Sequence, residues 1–307
     1  MKLSTITLIK TVVLITSIIF VGCSDNSETS LATDYEYIDE GENLNDQAMI
    51  NRLTISAQNF IDQGDLDNAV EVLTRLILIS PDNIDAYYKR ANVKRKLGLL
   101  EESIGDYTRA LDLDPTLVDA YLRRGVSHAN LGRFNDAIPD FDKVIEIGGP
   151  DAAMYRNRGL AYYELDLWHD AIDNFNAAIE IDPNLAVAFN DRGLAFVKLG
   201  QYNNAIEDFE MAITVDPNFV IAYDNKGNAW QALANFYFAI DDYDKALELD
   251  PSYAPSYNNR GNAYRGLSDY ESALKDYSKA IQIAPRNASN YFNRGVRSFR
   301  RQSNHRI

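Results

Sequence analysis

Cysteine is nearly absent from this chain of 307 residues. Cys23 stands alone, so no disulfide can form within the chain. Histidine is almost as scarce: His128, His169 and His305 fall at unrelated places in the pattern described below and give no metal-ligand spacing. There is no glycine-rich phosphate loop, no His-Glu-x-x-His and no nucleophile elbow, so no catalytic residue, cofactor or metal site is expected and no enzymatic activity. Positive charge is in deficit. A formal net charge of −15 argues against binding to nucleic acid and favours solubility. The apolar run from Thr11 to Val21 covers eleven residues, short of the ~20 that a membrane-spanning helix needs.

What is present begins at the N-terminus. Lys2 and Lys10, the short apolar run and then Gly22 and Cys23 read as a secretory signal peptide over residues 1–22. Cys23 directly after "FVG" resembles the lipobox of bacterial lipoproteins. That resemblance implies cleavage before Cys23 and lipid on its thiol and new amino group; the alternative is an uncleaved membrane anchor. Residues 23–47 form an acidic, flexible tether. Asp25, Glu28, Asp34, Glu36, Asp39, Glu40, Glu42 and Asp46 lie in the stretch from Cys23 to Asn51, which has no base. The stretch after Pro285 is the opposite, with six arginines and no acid.

Between these ends the sequence repeats. Gly125, Gly159, Gly193, Gly227, Gly261 and Gly295 are spaced by 34 residues, and Pro81, Pro115, Pro183, Pro217, Pro251 and Pro285 keep the same period. Pro150 comes one residue late. A fixed period of this length marks a solenoid. Each period holds two amphipathic helical patterns, separated near Leu-Gly or Leu-Ser and ended at Asp-Pro, because proline cannot continue a helix. Small residues at one phase (Ala69, Ser103, Ala137 and onward) let paired helices approach, and aromatics such as Phe134, Trp168 and Phe236 fill the space between neighbours. Pro139 falls near the start of a second helix, where a local bend is expected.

The spelling Tyr257-x2-Arg260-Gly261-x2-Tyr264, then Ala273-x3-Tyr277, Ala280 and Pro285, resembles the tetratricopeptide repeat (TPR). The resemblance implies an all-α, right-handed superhelical solenoid of helix-turn-helix repeats over residues 48–307. Repeats start at Ile50, Ile84, Val118, Ala152, Ala186, Val220 and Ala254, with a capping helix from Ala288. The arginine or lysine at the phase just before the glycine has an acid or amide sixteen residues on, in six repeats from Arg90 with Asp106 to Arg260 with Asp276. The first repeat lacks both partners, so an ion pair between helices of one repeat is expected; the alternative is a row of cations for an anionic ligand.

The residue two before each glycine reads Asn157, Asp191, Asn225, Asn259 and Asn293, after Lys89 and Arg123. The series resembles the asparagine ladder of the TPR superhelix of O-GlcNAc transferase. That resemblance implies amides that hold an extended peptide by its main chain, each offering a donor and an acceptor. The alternative is amides that only face water. Leu122, Val126, Leu160, Tyr163, Val187, Leu194 and Val197 stand at other groove-facing phases, and Asp224, Asn228, Asn258, Asn262 and Arg265 take those phases later. An apolar centre with an amide-rich end suits a peptide with a few apolar anchors; tighter core packing is the other reading. The asparagines lack the cations that a clamp for carboxylate tails would need. Phe236, Tyr237 and Phe238 form an aromatic cluster that is either a second contact surface or a well-packed turn. The basic terminal helix is either an end cap or a contact for an acidic or phosphate-bearing partner.

The reading is a lipid-anchored envelope protein, at the outer membrane and facing the periplasm or cell surface, that binds a protein or peptide partner as bacterial TPR lipoproteins do. A glycan-binding envelope protein and a soluble cytoplasmic scaffold are the alternatives.

Overall fold

The computed structural model describes residues 46–286. The expected signal peptide, Cys23, the expected tether up to residue 45, the expected capping helix from Ala288, Asn293 and His305 lie outside the described residues. Within them the chain forms fourteen α-helices and no strand. They stack as seven pairs: α1 (Asp46–Gln63) with α2 (Leu66–Ile79), α3 (Ile84–Lys96) with α4 (Leu100–Leu113), α5 (Val118–Asn130) with α6 (Phe134–Gly148), and α7 (Ala152–Glu164) with α8 (Trp168–Ile181). Then follow α9 (Ala186–Lys198) with α10 (Tyr202–Val215), α11 (Val220–Ala232) with α12 (Phe236–Leu249), and α13 (Ala254–Gly266) with α14 (Tyr270–Ile283). Six first helices begin at the expected residues. The first, α1, begins at Asp46, one turn ahead of Ile50.

Local chemistry ends each helix. Between partners the chain takes a left-handed residue: Gly64, Gly98, Gly132 and Gly200 in four repeats, but Asp166, Ala234 and Ser268 at φ 60–64° in the others. The three side chains carry a strain that glycine would relieve. At the far ends Asp114, Asp182, Asp216 and Asp250 sit extended. Each carboxylate accepts the backbone N–H two residues on, at 2.8–3.0 Å, and the intervening proline blocks further helix. The late Pro150 has a simple cause. Helix α6 runs one residue longer, to Gly148, and Gly149 at φ 87° absorbs the extra residue. Pro139 lies inside α6 at an exposed position, and the helix continues past it.

Packing within a pair is set by the repeated glycine. A Cβ built on Gly193 or Gly227 would stand 2.6 Å from the ring of Phe209 or Tyr243, sixteen residues on, and the same holds at 2.7 Å for Gly159 with Phe175 and Gly261 with Tyr277. These rings are fully buried. The glycine is therefore a socket for the next helix's aromatic.

The cation one residue earlier works on two neighbours at once. Arg90, Arg124, Arg192 and Arg260 each fork onto the aspartate sixteen residues on (Asp106, Asp140, Asp208, Asp276) at 2.6–3.3 Å. Arg158 donates instead to Asn174. The remaining guanidinium nitrogen reaches sixteen residues back, to Thr74, Thr108, Asp142, Asn176 or Asp244 on the previous repeat's second helix. One side chain thus ties its own repeat together and to the one before. An aromatic three residues earlier, such as Tyr121 or Tyr155, lies under the guanidinium at 5.2–5.8 Å. Lys226 is the exception: its single ammonium contacts Asp242 at 3.3 Å. Burial raises the Asp242 carboxyl to about 6 against the pull of Lys226.

Two outcomes are expected in thermal melts. Gly193→Ala collides with Phe209 and lowers stability by about 1–3 kcal/mol. Gly105→Ala, with nothing within 4 Å of its Cβ, raises it by up to ~1 kcal/mol through helix propensity. Lys226→Arg restores the fork and stabilises by about 0.5–1.5 kcal/mol at pH 7. Because the folded-state pKa of Asp242 is raised from 3.8 to about 6, the folded wild type takes up a proton across that window and gains stability as pH falls through it. The advantage of the arginine variant should therefore shrink between pH 7 and pH 4.

Candidate functional site on the inner helix face

First helices of consecutive repeats approach one another, as in α3 with α5, α7 with α9, α9 with α11 and α11 with α13. In a curved stack the elements on the inside come closest, so the first helices line the inner face. Their side chains meet across a sequence separation of 35. Arg123 donates to the hydroxyl of Tyr88 at 3.1 Å. Arg156 donates to Asp191 at 2.6 Å, and Asn225 to the Asn190 oxygen at 2.9 Å. The Asn259 amide donates to both oxygens of Asp224 at 3.1–3.2 Å. The ammonium of Lys198 lies 5.7 Å from the centre of the Tyr163 ring.

The five residues of the asparagine series are therefore not equivalent. Asp191, only 8% exposed, accepts from Arg156, and burial still holds its carboxyl above the usual range. Asn225 and Asn259 donate to the preceding first helix. Asn157 differs, because the residue 35 before it is Leu122. No described group hydrogen-bonds to the Asn157 amide, which stays half-buried beside an apolar neighbour. Asn293 lies outside the described residues. The partners Arg156 and Asn190, which answer the series, were absent from the sequence reading. A comparison of the residue three before one glycine with the residue two before the next shows polar pairs throughout, broken only at Leu122 and Asn157.

The C-terminal part of the face is occupied by its own network. Asp224 accepts from Ser256 at 2.6 Å and from Asn228 at 3.1 Å, besides Asn259. Among the described residues no cation contacts it, and burial raises its carboxyl. Tyr243 fixes the Asn228 oxygen, and Tyr277 the Asn262 oxygen, each at 2.9 Å. The centre is different. Leu122 and Val126 pack at half-burial over Phe141, Leu160 and Tyr163 over Phe175, and Leu194 and Val197 over Phe209. Each therefore touches the core on one side and solvent on the other.

The aromatic cluster in the sixth repeat divides. Phe236 is the neighbour of Gly266, 2.6 Å from where a Cβ would stand, whereas Tyr237 is 73% and Phe238 57% exposed. The Phe238 ring leans on Trp230 with centroids 5.1 Å apart. Among the described residues no helix is long and apolar enough to cross a membrane, and no cluster of His, Cys, Asp and Glu could hold a metal ion.

Profiles described as "Tetratricopeptide repeat" match residues 186–219, 254–287 and 122–186, and one described as "TPR repeat" matches 57–98, 91–132 and 238–268. The chain belongs to the tetratricopeptide repeat family. Proteins of this kind mediate protein–protein interaction on a scaffold that is typically not enzymatic. No curated protein matches the chain. Among solved structures, a TPR protein from Parabacteroides merdae ATCC 43184 is 21% identical with a TM-score of 0.64, over 81% of this chain and 98% of its own. MamA is 30% identical with a TM-score of 0.51, over 53% of this TPR chain and 96% of its own. YrrB, described as a TPR protein with an unusual peptide-binding site, is 23% identical with a TM-score of 0.51, over 61% and 97%.

Asparagines of one series should behave differently. Asn259→Ala leaves buried Asp224 with only the Ser256 and Asn228 donors and should cost about 1–2 kcal/mol in denaturant unfolding. Asn157→Ala should leave stability within ~0.5 kcal/mol of wild type.

Proposed function

We propose that this chain is a lipid-anchored adaptor of the bacterial cell envelope that captures a segment of a partner protein on its inner helix face. The observation that carries the binding site is the contrast along that face. Polar groups toward the C-terminal end bond to each other, whereas Leu122, Val126, Leu160, Tyr163 and Leu194 keep apolar surface open around the unbonded Asn157 amide. An extended segment with two or three apolar side chains fits that surface, and Asn157 offers its main chain a donor and an acceptor. The peptide-binding site named for YrrB supports the mode of binding. The anchor is supported by the signal-like stretch before Cys23.

The test is affinity capture from an envelope fraction with wild type and with Leu160→Glu plus Leu194→Glu, checked for folding by circular dichroism. Partners recovered by wild type should be lost by the folded variant. Equal recovery by both would remove the inner face from the mechanism. For the anchor, cells fed a labelled fatty acid should transfer label to wild type and not to Cys23→Ala; a chain without label in both would leave the adaptor unanchored.

A further inference from the structure

Where five other described repeats carry arginine, the sixth carries Lys226. The exchange matters because of geometry. A guanidinium has donors in several directions and serves its own repeat and the preceding one together, whereas an ammonium has one nitrogen and can sit in one place. Lys226 sits on Asp242, within its own repeat, at 3.3 Å. The residue sixteen before it, at the phase that receives the second contact elsewhere, is Glu210 on α10. Glu210 is exposed and makes no ion pair among the described residues, yet it stands close enough to Asp242 to act on it electrostatically. One cation thus answers to two carboxylates, one on each side of the junction between the fifth and sixth repeats.

The two carboxylates live in different surroundings. Asp242 is buried and Glu210 lies in water. On α12 itself Asp241 adds a like charge beside Asp242, and the neighbouring Tyr243 hydroxyl is taken up by Asn228. Helix α11 presents Lys226 and α10 presents Glu210, while Arg260 of α13 reaches α12 at Asp244. Burial first, and then Asp241 and Glu210, outweigh the pull of Lys226, and the Asp242 carboxyl is raised to about 6. The fourth repeat shows what a neutral group at this phase allows. There the place of Asp242 is held by Asn174, and Arg158, which donates to it, also forms an ion pair with Asp142 of the third repeat. An uncharged acceptor within the repeat therefore coexists with an ion pair across the junction.

We propose that Lys226 is a tie operated by pH: while Asp242 is ionised it holds α11 to α12 inside the sixth repeat, and when Asp242 is protonated it turns to Glu210 and joins the sixth repeat to the fifth. Exposed carboxylates are still ionised at about pH 5, so the tie forms near that pH. The junction it closes is the one that Asn225 crosses to reach Asn190, and it divides the apolar stretch at Leu194 and Val197 from the network around Asp224. Mild acid thereby fixes the angle between these two parts of the stack.

Two measurements test the switch. In the first, spin labels are placed at Glu180→Cys and Gln282→Cys, exposed positions on α8 and α14, in the full chain carrying Cys23→Ala. The distribution of distances between them, read by pulsed electron paramagnetic resonance, should narrow from pH 7 to pH 5, with a midpoint at about 6. A second pair, Asp112→Cys with Glu180→Cys, spans only junctions crossed by Arg124 and Arg158 and should not change. Asp242→Asn, for which Asn174 is the precedent of a folded repeat, should be narrow already at pH 7. Glu210→Ala should lose the narrowing at pH 5. In the second measurement, Lys226→Met and Glu210→Ala are combined in a double-mutant cycle of urea unfolding. Their coupling should be absent at pH 7 and reach about two- to fivefold in the unfolding constant at pH 5. The switch is overturned by a distribution that ignores pH, by narrowing that survives Glu210→Ala or appears equally in the second pair, or by equal coupling at both pH values.

Discussion

The stack depends on one arginine in each of five repeats, Arg90, Arg124, Arg158, Arg192 and Arg260. Its fork grips an acid or amide on the partner helix, while its third nitrogen crosses to the repeat before. Partly buried ion pairs of this kind specify geometry more than they add net stability, since much of the attraction offsets the desolvation of both charges. Specification is what a solenoid needs. Each repeat must meet the next at the same angle, and a planar group with fixed donors sets that angle where apolar contact alone would allow sliding. The glycine beside it brings the aromatic ring into place at the same step.

The inner face is then a matter of what remains. Helices held at a constant offset bring residues 35 apart into contact, and a polar pair there satisfies itself. Where one member is apolar, as at Leu122, the other is released to solvent. Where tyrosine takes that place, as at Tyr88, the arginine opposite donates to its hydroxyl and to Asp119. Open side chains on this face arise from local failures of an otherwise closed pattern, and the repeat supplies the reference against which each failure can be seen.

Much of the fold was legible because its causes are short-range or periodic. Six of the seven repeat starts, the Asp-Pro stops and the pairing of Arg260 with Asp276 all follow from spacing. The second contact of each arginine was not, since it links a helix to one sixteen residues behind and is made by threonine, asparagine or aspartate without a common chemistry. The asparagine series shows the limit for the site. Its period was plain, yet Asn225 and Asn157 carry the same letter and differ only in the residue 35 before them. Phe238 and Tyr237 were equally ambiguous, because a sequence cannot say which of three adjacent aromatics turns inward.

The lysine at position 226 gives the molecule a seam. Every other junction from the second repeat to the seventh is crossed by a guanidinium that touches both sides, but between the fifth and sixth the cation holds only its own repeat. Tension along the chain is shared by links in series, and the weakest one sets where they part. A load carried along the described stack meets at this junction no guanidinium link, and rests on apolar packing such as that of Phe209 and Ile206 against Ala229 and Trp230 and on the Asn225–Asn190 hydrogen bond.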